Sequence, residues 1–579
     1  MDLKIASASA SATERAAVDV VLGSPPVDQE LGHVGRGGHD LRAQRPLLLR
    51  TLHAVNDRVG WISRGAINYI ASRLDVAPAD IYGVATFYAL FSTVERPPRQ
   101  VHVCVDLVCR ATGGPTDDQL PAGAHPSPCL GVCERAPAAL VIESGDPARH
   151  EVLAPSTAED LGRLVAGSWP GGEAPVVTAV PQHGDPSLEL LARVGVVAPE
   201  SIDDYRAAGG YEALRRALTI GPEAVIQEVT DSGLVGRGGA AFPTGRKWDA
   251  VARQPVQPHH LVCNADESEP GTFKDRVLME GDPFAVIEAM TIAAFATGCA
   301  HGWLYLRGEY PRAMHTLQTA IDEARRRGFL GQDILGSGFA FDVTIERGAG
   351  AYICGEETAI FNSIEGHRGE PRNKPPFPVE VGLFGKPTVV NNVETLVNVL
   401  PILRGGGAAR KLFCVSGAVA RPGVYEVVFG VTLGELLELA GGVTEGRQLQ
   451  AVLLGGAAGS FVGPDELDIP LTIEGTRARG ATLGSGVVLV LDDTVSLVDQ
   501  LMRIAAFFRD ESCGQCVPCR VGTVRQEEAL ARLAAGGGNG DVALLDELAQ
   551  VMRDASICGL GQTAPNAIMS AIEKFGVLR

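Results

Sequence analysis

At 579 residues the chain exceeds what one hydrophobic core usually organises, and at about 150 residues per domain three to five units are expected. Hydrophobic residues make up 45% and charged residues 21%, which excludes extended disorder, while 70 glycines imply many tight turns and close backbone approaches. Fifty basic against 69 acidic residues leave a net charge of -19, which excludes nucleic acid and an anionic membrane surface as natural partners.

The N-terminus, Met1 to Ile5 followed by an Ala/Ser run, lacks the apolar core that secretion needs, so residues 1–39 are expected to form a flexible tail on a cytoplasmic protein. Leu48, Leu49, Leu52, Val55 and Val59 recur at helical spacing, as do Ile67, Ile70, Ala71 and Leu74, and predict a helical region over 40–98. Alternation then takes over at Val101, Val103 and Val105, with further short strands at 140–142 and 152–153, giving an α/β unit over 99–168. Residues 169–187 are rich in Pro and Gly and read as a linker. The largest block, 188–405, carries helical stretches at 212–230 and 311–328 between glycine-rich loops and is expected to be a catalytic α/β domain. Its most apolar stretch, Ala289 to Ala300, is too short to span a bilayer and predicts a buried helix, so no membrane span is expected. Strands at 412–415 and 424–428 around Arg421-Pro422-Gly423, then a helix over 432–440, suggest a β-grasp module at 406–491. Val495, Val498, Met502, Ala505 and Phe508 open a helical region over 492–579, interrupted around Gly536 to Gly540. No long internal repeat is present.

Cys513, Cys516 and Cys519 share one tight loop at C-x2-C-x2-C spacing, and Cys558 follows after 38 residues. Three crowded thiolates completed by a distant fourth suit a 4Fe-4S cluster, whereas structural zinc usually draws on two separate ligand pairs. The second quartet, Cys104-x4-Cys109 and Cys129-x3-Cys133, presents two pairs from two loops. Spacing alone leaves 2Fe-2S and zinc equally open there, and coexistence with the first quartet favours iron-sulfur. In a reducing compartment the remaining Cys263, Cys299, Cys354 and Cys414 read as buried apolar residues.

Residues 233–248 form a glycine-rich loop with a formal match to G-x-G-x-x-A. A dinucleotide fingerprint would follow a strand, yet Glu223 to Thr230 reads as a helix, and the dinucleotide fold is set aside on that ground. What remains is bare backbone with Lys247 nearby, able to approach a phosphate or an aromatic ring; a merely tight turn is the plain alternative. Asn264, Asp266, Glu267 and Glu269 follow the apolar Leu261 to Cys263, so carboxylates gather at a strand's end. There they can accept from ribose hydroxyls and disfavour a 2′-phosphate, selecting NAD over NADP, or they can be a solvated acidic loop. A third segment, 348–358, combines small residues with Tyr352, Gly355, Glu356 and Glu357, whose adjacent carboxylates cannot oppose each other across a glycosidic bond. A fourth runs from Lys374 and Phe377 to Asn391, Asn392, Glu394 and Thr395, polar groups suited to a phosphate or flavin edge.

Taken together, these four segments and both quartets resemble the flavin subunit of respiratory complex I fused behind its 2Fe-2S partner subunit, over roughly residues 40–579. The resemblance implies a multidomain α/β and α+β fold: a helical region with a thioredoxin-like 2Fe-2S domain, an FMN-binding α/β domain, a β-grasp domain and a C-terminal helical bundle with a 4Fe-4S cluster. It implies FMN on Gly236, Arg237, Gly238, Lys247, Asn264, Asp266, Gly355, Glu356, Asn391, Asn392 and Thr395, and NADH contacts at Glu269, Glu357, Lys374 and Phe377. Ala241 departs from the family, which usually has glycine there. Residues 509–516, 552–564 and 205–211 look closest to the β subunit of cytoplasmic NAD-dependent molybdenum or tungsten formate dehydrogenase, ahead of the NAD-reducing hydrogenase and a fused complex I subunit. The implied partner is a catalytic α subunit carrying a molybdenum or tungsten pterin and iron-sulfur clusters, in a heteromer or a dimer of heteromers.

A hydride carries two electrons and an iron-sulfur cluster accepts one, so a flavin is expected between NAD and the clusters. No side chain need act as catalytic acid or base; Glu269 and Glu357 are expected to position NADH. The expected reaction is formate oxidation on the partner with NAD+ reduced here. The contrasting reading is a zinc-stapled assembly subunit that binds no flavin.

Overall fold

The computed structural model describes residues 7–24, 41, 43–169, 171–538 and 540–578. Residues 12–22, expected within a flexible tail, form a helix. Ser11, Ala12, Thr13 and Glu14 close a capping box, with Ser11 N–H donating to Glu14 at 2.6 Å and Glu14 N–H to Ser11 at 3.2 Å. The helix buries Ala17 and Val18, and its Asp19 accepts from Tyr69 Oη at 2.8 Å and pairs with Arg73 of the helix Arg64–Leu74. The rest of the expected tail, residues 1–6 and 25–39, lies outside the described residues. Helices Leu48–Val59 and Pro78–Ala85 complete the first region.

Strands β1 (Arg99–Cys104), β2 (Ala124–Ser127), β3 (Ala139–Glu143) and β4 (Arg149–Leu153) form a sheet of order β2-β1-β3-β4, parallel only between β1 and β2, with helix Ala158–Val165 packed against it. The Pro/Gly stretch that follows is laid down rather than free. Ala179 and Val180 are buried, and Gln182 exchanges hydrogen bonds of 2.7 and 3.2 Å with the backbone of Glu426. The Glu426 carboxylate in turn accepts the N–H groups of Glu189, Leu190 and Leu191 at 2.8 to 3.0 Å.

Strands β5 (His259–Ala265), β6 (Cys299–Leu306), β7 (Asp342–Arg347) and β8 (Thr388–Asn392) make a wholly parallel sheet of order β7-β6-β5-β8. Counted within the domain this order is 3-2-1-4, the strand order of a doubly wound half-sheet, which corrects the exclusion of that arrangement on sequence grounds. The exclusion holds only for the glycine loop: a helix, Pro222–Asp231, does precede it, and the loop comes before β5 instead of after it. The predicted helix at 212–230 divides at Gly221, whose φ of 89° ends one helix before Pro222 begins the next. Helix Pro283–Thr297 is buried almost throughout, and Glu288 within it accepts from Tyr205 Oη at 2.5 Å and from the N–H groups of Tyr211 and Leu214.

The third sheet comprises β9 (Arg410–Gly417), β10 (Gly423–Val428), β11 (Leu449–Leu454), β12 (Ser460–Val462) and β13 (Val487–Asp492), ordered β10-β9-β13-β11-β12. Only β9 and β13 are parallel, and helix Leu433–Leu439 shares a separate apolar core with this sheet, as a β-grasp requires. Five helices, from Leu497–Glu511 to Asn566–Phe575, close the chain. Among the described residues no helix is long and apolar enough to cross a membrane.

Candidate functional site

The chain reverses its order of strand placement between β5 and β8, and at such a switch point the loops leaving the two carboxyl ends part to open a crevice. Asn264 and Asp266 leave β5 there, and Asn391 and Asn392 end β8. Asn264 Nδ2 donates to Gly355 O at 2.8 Å, closing the third segment over the second. The glycine loop reaches the same place: Arg237 N–H donates to Thr395 Oγ1 at 2.8 Å, and a Cβ on Gly238 would stand 3.2 Å from that of Asn392. Trp248, fully buried, donates to Asn391 Oδ1 at 2.9 Å, and Lys247 Nζ donates to Val390 O at 3.1 Å. Thus all eleven residues expected on FMN belong to segments that meet at this crevice. Asp266 Oδ2 is buried without a hydrogen-bond partner, and burial pushes its carboxyl well above the usual range, with Arg307 countering only in part. Gly355 leaves open the space 3.6 Å from that oxygen. An orphaned acceptor beside a cradle a side chain would fill suits the polar edge of a flavin.

Two of these residues also make contacts within the chain. The Arg237 side chain turns away from the crevice and donates to Ala408 O at 3.0 Å and Arg410 O at 3.3 Å, so only its backbone is available there. Glu356 accepts the N–H groups of Thr358 and Ala359 at 2.8 and 2.9 Å, capping helix Glu357–Ile364. Lys374 Nζ bridges Glu356 and Glu357 at 3.0 and 2.8 Å, and Phe377 stands exposed nearby in sequence. Burial pushes the Glu357 carboxyl up, but Lys247 and Lys374 more than offset it, and it lies below the usual range. Glu269 is half-buried, accepting from Tyr352 Oη at 2.6 Å and Ala458 N–H at 2.9 Å, and desolvation raises its carboxyl to about 7.

Cys104, at the end of β1, Cys109, in helix Leu107–Ala111, and Cys129 and Cys133, on the loop before β3, are all buried, with Cys129 and Cys133 sulfurs 3.3 Å apart. The loop is held from the flavin-type domain. Arg276 donates to Gly131 O at 2.8 Å and Glu134 at 2.6 Å, and Arg307 donates to Cys129 O at 2.6 Å. Gly131 has a φ of 67°, and any Cβ there would overlap Tyr310. Cys513, Cys516, Cys519 and Cys558 line one cavity with Ile353 and Pro371. Ile353 stands two residues before Gly355, so the flavin crevice and this cavity share one loop. The four cysteines of this C-terminal quartet surround a shared space, as an all-cysteine cluster shell requires.

The thioredoxin-like [2Fe-2S] ferredoxin family matches residues 38–118, the Nuo51 FMN-binding domain 229–401, the SLBB domain 412–459 and the NADH-ubiquinone oxidoreductase-F iron-sulfur binding region 499–577. Over 400 residues the chain is 45% identical to an F-type subunit of the NADH-quinone oxidoreductase of Rhizobium meliloti, covering 67% of this chain and 95% of that one. The chain belongs to the F-type subunit family of NADH-quinone oxidoreductases. It is an oxidoreductase subunit with FMN-binding, 2Fe-2S and 4Fe-4S domains. The chain is also 43% identical to the HndC subunit of the NADP-reducing hydrogenase of Solidesulfovibrio fructosivorans, over 66% of this chain and 80% of that one. A crystal structure of an NAD+-reducing [NiFe]-hydrogenase in the H2-reduced state covers 92% of both chains, with a TM-score of 0.76 and 32% identity.

Sequence reasoning gave no role to Lys274, Asp275, Arg276 or Tyr352. Lys274, fully buried, joins Asp275 at 2.7 Å to Glu394 at 3.0 Å, and Asp275 accepts from Asn392 Nδ2 at 2.6 Å, so this pair positions the end of β8. No local signal marked them, because Lys274, Asp275 and Arg276 stand together in a charged run that reads as solvated, and their burial depends on distant partners.

Proposed function

We propose that this subunit exchanges electrons between NAD(H) and a partner oxidoreductase, as the diaphorase component of an NAD-dependent formate dehydrogenase. FMN, when bound, exchanges a hydride with the nicotinamide and single electrons with iron-sulfur centres. Gly236, the Arg237 backbone, Gly238, Lys247, Asn264, Asp266, Gly355, Asn391, Asn392 and Thr395 hold it, and Glu356 shapes the crevice through the helix it caps. Glu269, Glu357, Lys374 and Phe377 line the approach of NADH, with Lys374 and Lys247 balancing Glu357. Tyr352, ring against Phe507 at 5.1 Å and hydroxyl on Glu269, shuts water out of the space between crevice and cluster helix.

The observation that carries this reading is the loop 352–357, which joins the flavin crevice to the 4Fe-4S cavity through Ile353 and Gly355. That cavity opens toward an apolar stripe of exposed valines, Val517, Val521 and Val524, at helical spacing on helix Val517–Ala534, with Ile557 beside Cys558. Such a stripe beside a half-exposed cluster loop suits a partner that receives or delivers electrons. A molybdenum or tungsten pterin subunit in the cytoplasm is the assignment favoured by the sequence around Cys513 and Cys558. The third stretch behind that assignment, 205–211, packs on Glu288 in the core and touches no redox site. A hydrogenase is the second reading, favoured by the 92% coverage of the NAD+-reducing [NiFe]-hydrogenase chain.

The test is NADH formation by the purified complex with formate and with hydrogen as donors. Formate-dependent NADH supports the first reading; hydrogen-dependent NADH with nickel in a partner supports the second and overturns the first.

A further inference from the structure

Between the glycine loop and the β-grasp domain lies a cavity of ≈170 Å³, which no residue of β8 lines. Among the described residues its wall carries three cationic side chains, Arg237, Lys411 and Arg477, and no carboxylate. In a chain of net charge -19 this is an inversion of the prevailing sign. Two of the cations are almost fully buried: Arg237 is 4% exposed and Lys411 1%. Their hydrogen-bond acceptors are neutral backbone carbonyls. Arg237 donates to two backbone carbonyls and lies over the Phe429 ring at 4.6 Å, while its Nε is buried with no partner. Lys411 Nζ donates to Ser485 O at 3.0 Å, and its nearest carboxylate, Glu394 at 3.6 Å, is already held by Lys274 at 3.0 Å. Buried cations are retained when paired, and an orphaned guanidinium donor asks for an acceptor. The backbone adds to this, since Gly239 and Ala241 on one wall and Gly484 on the other adopt positive φ, the conformation that turns peptide N–H groups into an anion-binding concavity. Ala241, where the family usually has glycine, takes φ 53° at this wall.

We propose that this cavity is an oxyanion site for a phosphoryl group, separate from the flavin crevice. Apart from Gly236 and Arg237, none of the residues assigned to FMN or NADH lines it. Its volume suits a phosphate with a few waters and falls below the several hundred Å³ of a site for a whole nucleotide. The shared ligand chemistry is a dianionic phosphoryl group, either free phosphate or the phosphate portion of a nucleotide whose remainder lies outside. Burial together with the neighbouring Lys274 and Arg237 lowers the Lys411 ammonium to about 8, against the opposing pull of Glu394, as expected of a cluster short of negative charge.

The inference rests on the crevice, not this cavity, holding FMN. It is tested by titrating inorganic phosphate into the FMN-loaded complex by calorimetry, with and without NADH, in the wild type and in Lys411→Met and Lys411→Arg. The expected result is saturable binding, weakened at least tenfold in Lys411→Met and restored in Lys411→Arg, with flavin content unchanged in both. Competition by NADH identifies the nucleotide as the phosphate source; simultaneous binding identifies free phosphate. Absence of phosphate binding, or equal binding by Lys411→Met with its flavin retained, overturns the proposal. Bleaching of the flavin by NADH is read in the same samples, so a failed phosphate site is distinguishable from a failed flavin assignment.

Discussion

The two cysteine quartets are built alike in chemistry and opposite in setting. Cys104, Cys109, Cys129 and Cys133 are 2 to 5% exposed, and their second loop is clasped by Arg276 and Arg307 of the flavin domain. Cys513, Cys516 and Cys558 are only half-buried, and the helix that follows them presents bare valines. The difference teaches that one quartet is an internal fixture, dependent on contacts within this chain, whereas the other lies open at the surface, where the proposed function places a partner.

The sharpest break is at the open quartet. On the proposed ligation Cys558→Ala removes a cluster ligand, so donor-dependent NADH formation should fall below detection while NADH still bleaches the flavin and the 2Fe-2S signal persists by electron paramagnetic resonance. Loss of flavin reduction in the same variant would deny that the two are separable. On the internal side, Arg276→Met leaves Glu134 and Glu280 buried without their shared guanidinium, and removing one member of a buried ion group costs about 3–5 kcal/mol. Urea denaturation should register that loss together with a disturbed 2Fe-2S spectrum and an intact 4Fe-4S one.

The internal side also carries a pH response. Glu346, 0% exposed and paired with Arg50 at 2.6 Å, is pushed up from 4.5 to about 7, chiefly by burial. Its raised value means the folded state holds the proton between pH 4.5 and 7 while the unfolded chain releases it, so stability declines as pH rises through that window. At 1.36 kcal/mol per unit the decline amounts to roughly 3 kcal/mol, and Glu346→Gln should flatten it in unfolding curves taken from pH 5 to 8. The smallest effect belongs to the exposed stripe: Val521→Asp should weaken assembly with the partner by roughly tenfold, read by sedimentation, with both clusters and NADH bleaching unaltered. An unchanged association would remove the stripe from the interface.

The two quartets themselves were legible in the sequence because thiolate spacing is a local property; their difference in burial was not. The β-grasp hairpin was likewise carried by a period-2 pattern, and the buried helix expected over 289–300 by an all-apolar one, although it runs Pro283–Thr297, ends at Gly298 and gives Cys299 and Ala300 to β6. What the sequence hid depends on distant pairing. The doubly wound strand order could not be read because β8 joins β5 across the whole stretch from Ala265 to Thr388, by hydrogen bonds that leave no local mark. Arg237 was expected on FMN from the family resemblance, yet its side chain leaves toward Ala408 and Arg410 in a different domain. The first helix was missed although Ser11 and Glu14 spell its capping box, because the surrounding Ala/Ser run has little apolar periodicity.

The most direct test is an anaerobic NADH titration of the purified complex, followed by flavin absorbance and by electron paramagnetic resonance. The account predicts bleaching of FMN together with appearance of two distinct reduced-cluster signals, only one of which is lost in Cys558→Ala. A colourless protein containing zinc and no iron, or cluster signals unaffected by NADH, would contradict it.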